Sequence, residues 1–353
     1  MNKIRERKAY YDLLRVIAIL CVIYNHTNKR GYYLYAFEAT WILKVIYMAN
    51  AALIAVAVPI FFMISGALLL PKKEDIATIY KKRVSRMVAV LILFSIIKVC
   101  CDYILQGNRI GIQDFILKLV TDGITPAYWY LYAYIAYLIC LPFTRRLAEH
   151  MSDNEYKYLF AILLIVEGVI PTIQLFTGID EINGFFVIPL LHNIIVYPLL
   201  GYYLAERVPR EHYKKSGIKY ALIVMIIILG FFVGTTIYRN VPYSEFTTYD
   251  KGLFNCSFTA LLDVSVYYIV RTFFENAHPS DRCIRIIQSM GQLVFGIYLI
   301  EPIVRENTLM VYDYMSALLP KYLAAWFWVF IIFVICSVIV CFLKKLPLFR
   351  KLL

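Results

Sequence analysis

The chain has 353 residues, of which 61% are hydrophobic and 17% charged, and it carries a net charge of +12 with a mean hydropathy of +0.67. A soluble domain is typically about 45–50% apolar and about 25% charged, so composition excludes an ordinary water-soluble fold and points to a membrane protein. The eight cysteines fall mostly in apolar stretches without metal-ligand spacing, which reads as core filling, with no metal site expected.

Lys3, Arg5, Arg7 and Lys8 precede the first apolar run. No small-x-small cleavage site follows, so the run is expected to stay as a first span and not to leave as a signal peptide. Apolar length predicts ten spans, near 10–27, 50–70, 87–105, 127–144, 158–177, 185–205, 218–237, 253–274, 289–309 and 322–343. Residues 38–48, with Trp41 and Tyr47, are expected to form a short interfacial helix. The fold class is therefore all-α and polytopic, a single membrane domain over 1–353.

Loop charges set the direction. With the N-terminus cytoplasmic, the loops and ends on that side hold 24 of the 36 Lys and Arg residues, against 9 on the other side and 3 within spans. This places both termini in the cytoplasm. It also accounts for the basic balance without a nucleic-acid partner.

The first span, Tyr11 to His26, carries Asp12, Arg15 and His26. A charge at mid-membrane costs about 2.5–3.5 kcal/mol on insertion scales, so such residues are functional candidates by default. Arg15 and His26 are eleven steps apart, about 1100° at roughly 100° per residue, and so share a helix face about 16 Å apart along the axis. Asp12, three residues before Arg15, can neutralise it. Charge placement turns Arg15 inward and His26 outward.

In the second span, Val58 to Gly66, the Ser65-Gly66 pair either allows close helix packing or opens a polar cavity. In Lys81 to Arg86 (KKRVSR), Arg83 and Arg86 lie three apart and can grip a phosphate on one face. Lys81 and Lys82 raise the potential there. The other reading of the same segment is a plain stop-transfer cluster. Late in the chain, GQLVFGIYLIEP carries Glu301, which either orients a histidine or pairs with Arg305 four residues on. Weaker candidates are Lys98 with Asp102, Glu167, His192, Asp263 and Arg271. His150, His212 and His278 read as solvated.

These stretches in this order resemble the integral-membrane acyltransferase family 3, many of whose bacterial members O-acetylate cell-surface or lipid-linked glycans. The resemblance covers nearly the whole chain. It rests on Arg15 and His26, the PIFFMISG stretch, Arg83 and Arg86, Trp129-Tyr130-Leu131, and the FGIYLI stretch with Tyr298. It implies His26 as the base that activates an acceptor hydroxyl, Arg15 as an essential intramembrane arginine, and Arg83 and Arg86, helped by Lys82, as the acyl-CoA site. Asp12, Ser65, Trp129 and Tyr298 are expected in support, and Glu301 stands where many relatives have histidine. The expected partners are acyl-CoA as co-substrate, a glycan hydroxyl and the bilayer, with no bound cofactor. The cytoplasmic membrane of a bacterium is the expected location, and a stand-alone member is expected because no SGNH-type domain follows the last span. A proton-coupled transporter or exporter is the alternative reading.

Overall fold

The computed structural model describes residues 8–37, 40–179, 188–240, 258–277 and 279–353. Lys3, Arg5, Arg7, Lys251, Cys256 and His278 lie outside the described residues. So do the first two residues of the expected interfacial helix and the first residues of the expected spans at 185–205 and 253–274.

Among the described residues every regular element is helical. An apolar run in lipid has no water to satisfy its N–H and C=O groups, and the helix satisfies them within the segment. In chain order the elements are α1 (Ala9–Asn25), α2 (Trp41–Ile54), α3 (Ala57–Leu69), α4 (Ile76–Gln106), α5 (Ile112–Val120), α6 (Trp129–His150) and α7 (Asp153–Thr177). There follow α8 (Asn193–Tyr202), α9 (Lys215–Asn240), α10 (Thr259–Ala277), α11 (Asp281–Asn307), α12 (Leu309–Leu318), α13 (Lys321–Leu343) and α14 (Pro347–Leu352).

Among the described residues six segments are long and apolar enough to cross a membrane: Trp41–Leu69, Ile76–Gln106, Asp153–Thr177, Lys215–Arg239, Asp281–Asn307 and Lys321–Leu343. The chain is thus a multi-pass membrane protein. The 17 residues of α1 reach about 26 Å, at the lower end of the roughly 17–25 residues of a spanning helix. The expected division between an interfacial helix at 38–48 and a span at 50–70 is corrected. Helix α2 runs to Ile54 and α3 resumes at Ala57, because no charge, glycine or proline separates Ile46 from Val58.

The chain divides into two compact units. The first comprises residues 1–68 and 150–292. In it α9 packs against α10 and α2, and α1 packs against α10 and α2. Its core includes Leu14, Ala18, Ile19, Ile23, Met48 and Ala51, all at or near zero exposure. Helices α3 and α8 cross in backbone contact. A Cβ on Gly66 would sit 1.9 Å from the Pro198 carbonyl oxygen, and a Cβ on Gly201 would sit 2.0 Å from the Met63 carbonyl oxygen. The contact is reciprocal: each helix turns a glycine toward the other's backbone, three residues from its own contact carbonyl. Ser65 turns its hydroxyl back on its own helix, donating to the Phe61 carbonyl at 2.8 Å. The Ser65-Gly66 pair therefore serves close packing.

The second unit comprises residues 69–149 and 293–353. In it α12 packs on α13, fixed by a 3.0 Å bond from the Trp328 indole N–H to the Thr308 hydroxyl. The small helix α14 lies along α4, with the rings of Phe349 and Phe94 meeting edge to face at 6.0 Å.

Candidate functional site

The first unit carries Asp12, Arg15, His26 and Ser65. Arg15 Nη1 donates to Asp12 Oδ1 at 2.7 Å, with the aspartate side chain fully buried and the arginine side chain 24% exposed. Their i,i+3 spacing brings the two charges together on one helix. Gly291 of α11 makes the room: a Cβ there would come within 2.5 Å of Asp12 Oδ1. Thus the GQLVFGIYLIEP stretch begins by seating the ion pair of the first helix.

His26 caps the C-terminus of α1, its N–H donating to the Val22 carbonyl at 3.0 Å. The turn that follows is braced. Thr27 donates its hydroxyl to the Tyr24 carbonyl at 2.6 Å and accepts from the Tyr32 N–H at 3.1 Å. Tyr24 donates to the Gly31 carbonyl at 3.3 Å. The His26 side chain is half-buried.

The second unit carries Lys82, Arg83, Arg86, Trp129, Tyr298 and Glu301. Arg83 lies on a π-helical turn, Ile79–Val84, at the start of α4; such widened turns recur at functional sites. Its fork binds Glu74, Nε to Oε2 at 3.0 Å and Nη2 to Oε1 at 2.6 Å. Arg145 of α6 reaches the same carboxylate, Nη2 to Oε2 at 2.8 Å, and also donates to the Leu69 carbonyl. Two guanidiniums thus share one carboxylate beyond the end of the second apolar stretch. Sequence spacing could not reveal this, since Glu74 lies in a loop and Arg145 is 71 positions away. Arg86 does not join Arg83. It is exposed, and both Nε and Nη2 donate to the Leu352 carbonyl of α14, at 3.1 and 2.7 Å. Lys82 is exposed.

The Arg83 hydrogen bonds, followed by those of Arg145, hold the Glu74 carboxyl at about 2, well below its ordinary 4.5. A depressed carboxylate stabilises the fold fully above its unfolded value and ceases to do so as pH falls through its folded value. Wild type should therefore exceed Glu74→Gln in thermal stability by a constant margin above pH about 5. That margin should shrink below 4.5 and disappear near 2. Unfolding temperatures of both proteins in detergent across this range check the point, and a margin independent of pH would remove Glu74 as its source.

Glu301 is fully buried and accepts from Arg305 Nε at 2.8 Å. Arg305 also faces Glu306 at 3.6 Å, and Glu306 binds Lys98 at 2.8 Å, which in turn holds Asp102 at 2.6 Å. Two pairs that read as separate in the sequence, Lys98–Asp102 and Glu301–Arg305, are joined by Glu306 into one network between α4 and α11. Tyr298 is buried and donates to the Ala127 carbonyl at 2.5 Å, while Tyr128 donates to the Leu299 carbonyl at 2.7 Å. These reciprocal bonds tie the entry to α6 onto α11. Tyr130, Tyr134 and Tyr137 continue the ring contacts along α6, and Trp129, 52% exposed, meets Tyr130 edge to face.

Of the weaker candidates, His192, Arg271 and Glu167 have structural partners. His192 caps α8, its Nδ1 accepting from the Ile194 N–H at 3.4 Å. The buried Arg271 lies 3.9 Å over the Tyr213 ring, donates to the Leu204 carbonyl and faces Glu275 at 3.6 Å. Glu167 sits on a second π-helical turn and accepts from the Tyr197 hydroxyl at 3.3 Å. Asp263 is fully buried. His150 and His212 are exposed, as expected.

No curated protein and no solved structure gives a significant match to the chain. The family model described as an acyltransferase domain, that of acyltransferase family 3, matches residues 8–345. That range takes in the Asp12–Arg15 pair, His26, the Glu74 cluster and the Glu301 network. With nearly the whole chain matched and several helices apolar enough to span a bilayer, the chain belongs to acyltransferase family 3 and is a membrane acyltransferase.

Proposed function

We propose that the protein moves an acyl group, acetyl in the simplest case, from acyl-CoA to a hydroxyl of a cell-surface or lipid-linked glycan. His26 serves as the general base. The family match over residues 8–345 carries this reading. The braced position of His26 at the end of α1 supports it. In the reaction, His26 takes the acceptor's hydroxyl proton as its oxygen bonds to the thioester carbonyl carbon. The C–S bond then breaks, and CoA leaves as its thiolate. Arg15, neutralised by Asp12, positions the helix that carries the base. We place ten crossings in a bacterial cytoplasmic membrane with both termini inside, from the distribution of Lys and Arg among the loops.

Arg83 and Arg86 form the donor site in this proposal, with Lys82 adding to the local potential. The bidentate hold of Glu74 on Arg83 then competes with the donor's phosphates. Acetyl-CoA at saturating concentration should raise the unfolding temperature of the wild type. Arg83→Ala with Arg86→Ala should lose most of that rise, each charge-assisted contact contributing about 1.5–3 kcal/mol. Glu74→Gln should increase affinity by freeing the Arg83 fork. No stabilisation of the wild type by acetyl-CoA would turn the reading toward a transporter, and unchanged affinity in the double variant would leave the arginines as topology signals.

A further inference from the structure

Helices α9 and α10 enclose a groove of about 510 Å³ in the first unit, within the roughly 300–1,000 Å³ usual for ligand sites. Its walls are apolar, with Leu222, Ile223 and Ile226 on α9 and Phe273 on α10. Lys215 and Lys219 line it as well. These two lysines are four residues apart and share a face at the first turns of α9. Both are exposed, as is Lys214 beside them. Among the described residues no acidic side chain lines the groove.

We infer that this groove is a binding site for an anionic phospholipid of the cytoplasmic leaflet. The acyl chain lies along Leu222, Ile223, Ile226 and Phe273, and the headgroup phosphate lies against Lys215 and Lys219. Length supports this occupant. From Lys215 to Ile226 is about 16 Å along the helix, close to the roughly 15 Å depth of one leaflet's hydrocarbon. Charge supports it too, because a zwitterionic lipid, whose own cation offsets its phosphate, brings no net negative charge to the two ammonium groups at the mouth, and basic pockets between spans on the cytoplasmic side suit anionic headgroups. The inference rests on the cytoplasmic placement of the start of α9 and not on the acyl-transfer reading.

The test is native mass spectrometry of the full chain in detergent, with phosphatidylglycerol or phosphatidylcholine of the same acyl chains added. One phosphatidylglycerol should be retained in preference to phosphatidylcholine. Lys215→Ala with Lys219→Ala should weaken its retention about 30-fold. Lys344→Ala with Lys345→Ala, an equal loss of charge elsewhere, should leave it unchanged. Equal retention of the two lipids by the wild type overturns the proposal without recourse to any variant. Loss of retention in the Lys344/Lys345 variant, or displacement of the lipid by acetyl-CoA, overturns it as well. Acyl transfer measured in the same preparations keeps a failure here distinct from a failure of the enzymatic reading.

Discussion

His26→Ala should lower transfer of labelled acetyl from acetyl-CoA to membrane glycan by about 10²–10⁴-fold, the usual contribution of a positioned general base. The physical case is specific to this residue. A glycan hydroxyl is a weak nucleophile while it keeps its proton, and attack on a thioester needs that proton removed as the new bond forms. His26 is held for such a role by its position at the end of α1 and by the hydrogen-bonded turn from Tyr24 to Tyr32. The bonds described in that turn run through Thr27, Tyr24 and backbone groups, all of which His26→Ala leaves in place. Removing the imidazole should therefore leave expression and unfolding temperature near those of the wild type. Acetyl-CoA stabilisation should also persist, because the proposed donor site lies with Arg83 and Arg86. Wild-type turnover in a well-folded His26→Ala protein would falsify the mechanism.

The second large effect concerns the fold. Gly66→Val and Gly201→Val should each abolish recovery of folded protein, and Gly66→Ala should cost at least the 1–3 kcal/mol typical of overpacking. At Gly66 the obstructing atoms are the backbone of Pro198, and at Gly201 they are the backbone of Met63. A flexible side chain could swing away, whereas these backbones can move only if the helices separate. The internal control lies on α9. A Cβ at Gly230 or Gly234 meets nothing within 4 Å, so alanine there should be neutral or stabilising by about 0.5–1 kcal/mol through the helix term alone. Unfolding temperatures of the four alanine variants decide the matter: equal effects at all four positions would remove the backbone crossing as the cause.

The sequence carries these features unevenly. The Asp12–Arg15 pair was legible because a helix brings positions three apart together whatever surrounds it, and the same holds for Lys98–Asp102 and Glu301–Arg305. Small residues at Ser65-Gly66 left close packing and a polar cavity both open, and could not tell that Pro198 and Gly201 lie across from them. Glu74 was missed for a physical reason. It stands in a loop, nine residues from Arg83 and 71 from Arg145, and no periodicity links a loop to distant helices. Glu306 was missed similarly, its partner Lys98 lying 208 positions away. Helical spacing placed Arg83 and Arg86 on one face, but the π-helical turn at Ile79–Val84 widens the helix just there, and the two side chains reach different partners.

The ion pairs bear on how the chain is made. Arg15 has Asp12, Lys98 has Asp102, Arg271 has Glu275 and Arg305 has Glu301, each on its own helix and within one turn. A lone charge crossing the bilayer centre is costly, and during synthesis a helix emerges before its later neighbours exist. Each of these four cations brings its own counter-ion, so its helix can leave the translocation machinery without that charge standing alone and without waiting for a partner helix. Contacts such as Glu306 with Lys98 then form between helices already in the membrane.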